Sequence, residues 1–193
     1  MEKPTSAPGG GDQVPRAPRL KDLSRLCAEL NRLGARYVVV GGFAIIQAGY
    51  ARFTDDLDLL VDPSLENERR VFEALRCLPD KAVDQLEPGD VDKYIVVRVG
   101  DEILVDLIKS GCGVDYAEAI KDAEFSEIDG VRIPFASPQT LWRMKQTKRE
   151  KDVPDRLFLR MLLESQGIKV EPAPPANEPA EALMRWIKKL FGR

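Results

Sequence analysis

The chain has 193 residues, enough for one domain with a substantial core and additional terminal segments. Charged residues make up 32% of it, but the net charge is only −3, which argues against nonspecific DNA binding driven by overall charge. The sequence contains no histidine, which excludes Ser-His-Asp and Cys-His catalysis, zinc sites with histidine ligands and general base catalysis by histidine. Carboxylates, lysines and metal ions remain as candidates for chemistry.

The three cysteines are Cys27, Cys77 and Cys112, and they form no Cys-x-x-Cys pair. An odd number of isolated thiols is typical of a reducing compartment rather than of a disulfide framework or a zinc site. The N-terminal residues lack the apolar segment of a secretory signal, and no stretch approaches the length of a transmembrane helix. The sequence therefore predicts a cytoplasmic protein without an integral membrane segment.

The N-terminal part begins with a segment rich in Pro, Gly and Ser, residues 1–18, where we expect a disordered tail. Apolar residues then recur at helical spacing and predict a helix over 20–33. An apolar strand at about 36–41 leads into a Gly-Gly turn and a short helix over 43–50. Glycines allow the backbone to approach a ligand closely, and the free N–H groups of a helix N-terminus favour phosphate.

The segments that follow the second apolar strand alternate between strands and helices. We expect a helix over 62–77, an antiparallel pair of strands at 94–99 and 102–109, a helix over 114–123, a hairpin at 125–128 and 131–135, and helices over 138–148 and 154–165. Together these elements predict an α+β fold, with a small mixed β-sheet and packed helices, as one domain over 19–167.

The C-terminal part differs in composition from the domain. Residues 168–180 are rich in Pro and Ala and are expected to form a linker. Residues 181–193 predict a basic amphipathic helix, because their apolar side chains fall on one helical face. Such a helix docks to a cognate partner protein, to a membrane surface or back onto its own domain, and the sequence leaves the three alternatives open.

Two aspartates stand out in the second apolar strand. Side chains alternate along a strand, so Asp56 and Asp58 point to one face and the intervening leucines to the other. Two like charges on one face repel each other, and a cation between them would relieve that repulsion. Asp106 is a third carboxylate, alone in the apolar strand at 102–109, and an isolated buried carboxylate is costly unless it is paired or binds a metal. Three carboxylates around two divalent ions would suit phosphoryl or nucleotidyl transfer.

The Gly-Gly turn, the Arg-x-Thr-x-Asp-x-Asp stretch and the later strand aspartate resemble motifs of the nucleotidyltransferase superfamily of the DNA polymerase beta type. The resemblance covers roughly residues 20–165 and is strongest to the small bacterial branches: minimal, abortive-infection, toxin–antitoxin and antibiotic-modifying enzymes. It implies that Gly41 and Gly42 hold a triphosphate, that Asp56 and Asp58 bind two Mg²⁺ or Mn²⁺ ions, and that Asp106 binds the catalytic metal and activates the acceptor hydroxyl. These three aspartates are therefore the predicted catalytic and metal-binding residues.

Further nucleotide-binding residues are expected at four positions. Arg52 can orient a phosphate or an aspartate, with a structural ion pair as the alternative. Thr54 is either a ligand residue or an ordinary strand residue. A weaker resemblance involves the basic segment 141–152, in which Lys145 is similar to a lysine that reaches the nucleotide phosphates. Lys148 and Arg149 would share its helix face, and a solvated basic face is the alternative.

The predicted activity is transfer of a nucleoside monophosphate from an NTP, such as ATP, to an acceptor hydroxyl, with release of pyrophosphate. The acceptor would be RNA such as tRNA, a protein or a small molecule. The alternative is an antitoxin-like or degenerate nucleotidyltransferase that acts mainly by binding a partner protein, a hypothesis motivated by residues 181–193.

Overall fold

The computed structural model describes residues 14–170. In this part of the chain the α-helices are α1 (Leu20–Arg32), α2 (Gly41–Gln47), α3 (Leu65–Leu75), α4 (Asp90–Lys93), α5 (Tyr116–Ala119), α6 (Pro138–Met144) and α7 (Val153–Ser165). The strands are β1 (Tyr37–Val39), β2 (Asp56–Val61), β3 (Val96–Gly100), β4 (Leu104–Ile108), β5 (Ser110–Gly111), β6 (Val114–Asp115), β7 (Glu124–Ile128) and β8 (Val131–Phe135). Short 3₁₀ helices lie at Ala82–Gln85 and Glu150–Asp152.

Six strands form one mixed sheet in the order β3-β4-β2-β1-β8-β7. The pairs β2–β4 and β1–β8 are parallel, and the other neighbours are antiparallel. The hairpin β5–β6 stands apart from this sheet. The predicted α+β fold with a small mixed sheet is confirmed.

The hydrophobic core is formed by the central strands and the helices that cover them. Leu57 and Leu59 on β2 are fully buried, as are Leu23, Leu26 and Leu30 of α1. The spacing of these three leucines in α1 places them on one face of the helix. Because side chains alternate along β2, burial of its leucines directs its two aspartates to the opposite face of the sheet.

Several predicted helices have different boundaries in the structure. Helix α2 covers Gly41–Gln47, so it begins two residues and ends three residues earlier than the helix expected over 43–50. Helix α3 begins at Leu65, because the Ser64 hydroxyl accepts a hydrogen bond from the Asn67 backbone and caps the helix, which leaves Pro63 outside the first turn. The helix expected over 114–123 is a single turn, α5, since Val114 pairs with Gly111 in the β5–β6 hairpin instead of joining the helix.

Helix α6 ends at Met144, although the sequence predicts a helix over 138–148. The Arg156 guanidinium of α7 donates hydrogen bonds to the backbone carbonyls of Lys145 and Thr147, which stabilises a turn beyond the helix end. The prediction that Lys145, Lys148 and Arg149 share a helix face is therefore wrong, because all three lie beyond the last residue of α6.

The structure describes part of the predicted N-terminal tail and a small part of the predicted C-terminal linker. Arg16, which the sequence assigns to the N-terminal tail, contacts the domain: its backbone N–H donates to the Glu102 carbonyl, and its guanidinium pairs with Asp22 and Glu102. Most of the predicted linker and all of the predicted helix over 181–193 lie outside the described residues. None of the helices described between residues 14 and 170 is long and apolar enough to cross a membrane.

Candidate active site

Three aspartates come together on one face of the sheet. Strands β2 and β4 are parallel neighbours, and their register places Asp58 directly opposite Asp106, with Asp56 two residues away on β2. One carboxylate oxygen from each of the three lies within 4.8 Å of the others. The structure thus brings together the residues that the sequence predicts as metal ligands.

The first two residues of α2, Gly41 and Gly42, pack closely against the aspartate cluster and against Thr54. Gly41 has a φ of +61°, a conformation that side chains disfavour, and a Cβ there would overlap the Asp58 carboxylate. At Gly42 a Cβ would overlap the Thr54 side chain. A backbone hydrogen bond from Val40 to the Asp58 carbonyl, of 3.0 Å, fixes the approach of the two segments. The lack of side chains at both glycines therefore allows the turn to lie on β2.

The pKa of Asp58 is raised to about 6, chiefly because burial disfavours its charge, and the charges of Asp56 and Asp106 act in the same direction. The ammonium of Lys145 and a hydrogen bond from the Gly42 backbone act against this rise. Asp58 is thus a carboxylate whose charge is disfavoured by its surroundings. A bound cation would stabilise the ionised form.

Thr54 and Arg52 occupy different positions relative to the cavity. Thr54 is buried beside Gly42, and its hydroxyl lies 3.1 Å from the Asp56 carbonyl, to which it donates a hydrogen bond. It does not line the cavity, so its place is that of a support for Asp56. Arg52 does line the cavity, and its guanidinium forms an ion pair with Asp155 of α7.

Ion pairs around Lys145 form another part of the cavity lining. We call this part the cationic wall; its cations are Arg52, Lys145, Arg149 and Lys151. The Lys145 ammonium lies 2.8 Å from an Asp152 carboxylate oxygen and 3.0 Å from one of Asp155. Arg149 donates to Asp152 at 2.9 Å, and the Thr147 hydroxyl also donates to it. These contacts hold three of the four predicted nucleotide-binding side chains, Arg52, Lys145 and Arg149, at one wall of the cavity.

Asp152 and Asp155 are buried, and the sequence analysis assigned them no role. Burial acts to raise the pKa of Asp152, but hydrogen bonds from Lys145 and Thr147 and the nearby positive charges outweigh it, so that its pKa lies below the ordinary value. The sequence signal that could have indicated a shared role for Asp152 and Asp155 is their spacing, because residues three apart at the start of a helix lie on one face.

Arg98 is a functional candidate that the sequence analysis missed. It lies on the edge strand β3, directly opposite Asp106. Its Nε and Nη2 atoms donate to the two Asp106 oxygens at 2.8 and 2.7 Å, and Nη2 lies 3.6 Å from Asp56. A lone arginine in the apolar strand predicted at 94–99, antiparallel to the strand with a lone aspartate, is the signal that could have suggested this pair.

The aspartates and the cationic wall enclose a cavity of about 300 Å³. Its size is at the lower end of the range typical of small-molecule sites. The three aspartates, Gly41 and the cations Arg52, Arg98, Lys145, Arg149 and Lys151 all contribute to its lining. Apolar side chains complete the lining: Ile95, Val96, Ile108, Leu141 and Met144.

The donor set fits a hard divalent cation. Among residues 14–170, Asp56, Asp58 and Asp106 are the group of potential ligands close enough to share an ion, and all of their ligand atoms are carboxylate oxygens. Oxygen ligands of this kind suit Mg²⁺ and Mn²⁺. The raised pKa of Asp58 and the close packing of Gly41 on its carboxylate agree with a site built around added positive charge.

Two solved structures are distantly similar to this chain. No curated protein sequence matches the chain. Among solved structures, an antigenic nucleotidyltransferase-like protein from Paracoccidioides brasiliensis is 20% identical, with a TM-score of 0.48 over 91% of this chain and 90% of that one. A nucleotidyltransferase candidate from Thermotoga maritima is 16% identical, with a TM-score of 0.44 over 88% of this chain and 92% of that one.

A sequence model of a protein family covers most of the described domain. It is the model of the family described as "nucleotidyl transferase of unknown function" (DUF2204), and it matches residues 19–171. This stretch includes the whole sheet, the three aspartates and the cationic wall. The chain therefore belongs to this nucleotidyl transferase family, and it is an enzyme of the nucleotidyltransferase class.

Proposed function

We propose that the protein is a metal-dependent nucleotidyltransferase, which moves a nucleoside monophosphate from an NTP to an acceptor hydroxyl and releases pyrophosphate. The observation that carries the proposal is the convergence of Asp56, Asp58 and Asp106 in a cavity that is also lined by several cationic side chains. Candidate metal ligands and candidate phosphate-binding groups thus line one space of ligand size.

Asp56 and Asp58 would hold both divalent ions, Mg²⁺ or Mn²⁺, and Asp106 would share one of them. Bound ions of this kind polarise phosphoryl oxygens and lower the pKa of an acceptor hydroxyl. Asp106 is also the candidate for the group that takes the acceptor proton, because it is the carboxylate nearest the open edge strand. The Thr54 hydrogen bond to the Asp56 backbone and the Gly42 hydrogen bond to Asp58 hold these carboxylates in position.

Lys145 is the best candidate for contact with the triphosphate. An ammonium has three donors, and two of them are directed at Asp152 and Asp155, which leaves one for a phosphate oxygen. The two carboxylates also fix the position of the ammonium before a ligand arrives, which reduces the entropy lost on binding. Arg149 and Lys151 line the same wall and add positive charge.

The nucleoside or the acceptor would contact the apolar side of the cavity. Ile95 and Val96 line it and are 61% and 46% exposed, so apolar surface of both is available to a ligand. Their position beside Arg98 and Asp106 places them near the group that would activate the acceptor. An RNA, a protein side chain and a small molecule are the acceptor classes to be tested.

The proposal is tested by incubating the purified chain with each of the four NTPs, labelled at the α-phosphate, in Mg²⁺ or Mn²⁺. Candidate acceptors are tRNA, a cell extract and a panel of small hydroxyl compounds. We expect label on an acceptor together with release of pyrophosphate, and loss of both in the Asp58→Asn variant. Absence of label and of pyrophosphate with every NTP and both metals would contradict the proposal. Nucleotide binding without turnover would favour the alternative of a degenerate enzyme that acts by binding a partner.

A further inference from the structure

Charged side chains form a row across three adjacent strands. Arg98 on β3 lies opposite Asp106 on β4, which lies opposite Asp58 on β2. Residues directly opposite each other in a sheet share a face, so the arginine extends the row of carboxylates by one strand. One guanidinium therefore lies beside the three carboxylates that the proposed function assigns to metal ions.

Arg98 uses both oxygens of Asp106. The two hydrogen bonds, at 2.8 and 2.7 Å, form a bidentate pair, and the second Nη2 contact, at 3.6 Å, extends to Asp56. A metal ion would take lone pairs from these same oxygens, and it would be repelled by a positive charge a few ångströms away. Arg98 and a divalent ion therefore compete for Asp106.

Arg98 is also placed so that it can leave this pair. Its side chain is 57% exposed, on an edge strand, and it lines the cavity. Lys145 differs, because its side chain is only 12% exposed and is held by two buried carboxylates. Asp106 is itself buried, so it keeps a cation after Arg98 moves only if the entering metal takes the place of the guanidinium. Departure of Arg98 is therefore coupled to binding of the metal.

We propose that Arg98 is an exchangeable counter-cation of the metal centre. In the metal-free protein it pairs with Asp106 and partly offsets the repulsion among the carboxylates. When the metal and the nucleotide enter, the guanidinium leaves Asp106 and binds the phosphates, for which its planar donors are well suited. This inference rests on the proposed function, since it requires that the three aspartates bind metal.

The exchange predicts opposite effects on two ligands. Removal of the Arg98 charge should strengthen the binding of metal alone, because the competitor is lost. The same change should weaken the binding of metal together with a polyphosphate, because a phosphate-binding group is lost. A guanidinium that only orients Asp106 for the metal would weaken both.

The test compares the parent chain with Arg98→Gln, and with Arg76→Gln as a matched control. Arg76 is half-exposed on the surface, where it pairs with Glu73 and Asp84, and its replacement removes the same charge away from the cavity. Binding of Mn²⁺ alone is measured by the electron paramagnetic resonance signal of the free ion. Binding of the Mn²⁺–tripolyphosphate complex is measured by calorimetry, since tripolyphosphate carries the phosphates without a base whose identity would matter.

We expect Arg98→Gln to bind Mn²⁺ alone roughly three- to fivefold more tightly, the upper part of the range expected for loss of a half-exposed ion pair. Its affinity for Mn²⁺–tripolyphosphate should fall by about tenfold or more, as for loss of a charge-assisted hydrogen bond. Arg76→Gln should change neither. Thermal unfolding of each variant verifies that the sheet is intact, and Arg98→Lys, which keeps the charge, should bind Mn²⁺ alone no more than about twofold more tightly than the parent.

Unchanged or weaker binding of Mn²⁺ alone by Arg98→Gln would overturn the exchange. Failure of the proposed function has a different result, because Mn²⁺ binding would then be absent or would persist in Asp58→Asn. A centre that binds Mn²⁺ through Asp58, but in which Arg98→Gln does not tighten that binding, would refute this inference and leave the proposed function in place.

Discussion

Among single residues, Asp58 combines a half-buried, largely desolvated carboxylate with two neighbouring carboxylates, and its pKa is raised to about 6 as a result. The ionised form that would bind a metal is therefore disfavoured in the metal-free fold. Gly41 has a related role, because its missing Cβ leaves the space that the Asp58 carboxylate occupies. Both residues can be tested separately from the rest of the cavity.

The Asp58→Asn substitution should abolish transfer while preserving the fold. The expected loss of activity is on the order of 10²-fold or more, because the displaced metal stabilises transition-state charge by several kcal/mol. The metal-free variant should be as stable as the parent at neutral pH, or more stable. Because the pKa of Asp58 is raised in the folded protein, ionisation of Asp58 destabilises the parent, and the neutral asparagine avoids that cost. The measurements are transfer rate and chemical unfolding in the presence of a chelator. Activity within about threefold of the parent would show that Asp58 is not a metal ligand.

The Gly41→Ala substitution should weaken Mn²⁺ binding by at least about tenfold, or about 1.4 kcal/mol, because the added methyl group displaces the Asp58 carboxylate. The positive φ alone should lower the free energy of unfolding by about 1–2 kcal/mol. Gly113→Ala is the matched control, since Gly113 also has a positive φ but a Cβ added there would have nothing within 4 Å. Equal Mn²⁺ affinity in both variants would contradict the packing argument.

At the level of elements, the junction between α6 and α7 organises the cationic wall. Helix α6 ends at Met144, and the Arg156 side chain of α7 stabilises the turn that follows. This turn carries Lys145 to Asp152 and Asp155 at the start of α7. A continuous helix over 138–148 would have directed its basic side chains along one face instead. The early end of α6 is thus what allows one ammonium to contact two buried carboxylates.

The Lys145→Ala substitution tests two roles of Lys145 at this junction: binding of the nucleotide phosphates and stabilisation of the fold. We expect NTP affinity to fall by about ten- to a hundredfold, the effect of losing a charge-assisted hydrogen bond of roughly 1.5–3 kcal/mol. Affinity for the corresponding nucleoside should be nearly unchanged, because it has no phosphates. Stability should fall by about 1–3 kcal/mol, since two buried carboxylates lose their shared cation but keep Arg149 and Arg52 as partners. Paired titrations of NTP and nucleoside, made below the unfolding temperature, separate the two effects.

Lys148→Ala is the control for this prediction, because Lys148 is an exposed neighbour of the same charge. It should leave stability and the affinity for the nucleoside unchanged. Equal NTP affinity in Lys145→Ala and in the parent would show that Lys145 does not bind the phosphates and has only a structural role. The basic segment would then have to bind a different ligand, and an RNA acceptor would be the first to test.

For the whole molecule, residues 14–170 supply the six-stranded sheet, the core and the cavity lining described above. The sheet has β3 at one edge and β7 at the other, and the cavity lies beside the β3 edge. Arg16 connects the N-terminal end of this part to Glu102 and Asp22. Whether the region after Val170 contributes to folding or binding is therefore a question for truncation.

A chain that ends at Val170 should fold and bind Mg²⁺–NTP with an affinity within about twofold of the full-length protein. The physical reason is that the described core and cavity draw their side chains from residues 14–170, whereas the sequence predicts residues 171–193 as linker and amphipathic helix. Calorimetry gives the affinity, and thermal unfolding gives the stability. Loss of folding or of nucleotide binding would mean that the C-terminal residues complete the domain.

The sequence by itself determined the features that depend on residues close together in the chain. In a strand, the alternation Asp56-Leu57-Asp58 places both aspartates on one face and the leucine on the other, and this depends only on the local backbone. The hairpin of β7 and β8 follows from two apolar runs joined by Asp129-Gly130. Short-range periodicity and turn chemistry are sufficient for both, so the α+β class and the three aspartates could be predicted.

Only the tertiary structure decided which charges meet. Arg98 finds Asp106 through the register of β3 against β4, and Arg52 finds Asp155 across 103 positions of the chain. Lys145 meets its two carboxylates because α6 ends early, and that end depends on a side chain from another helix. Ion pairs depend on distances of a few ångströms, and such distances are set by strand register and helix ends that sequence patterns leave uncertain by several residues.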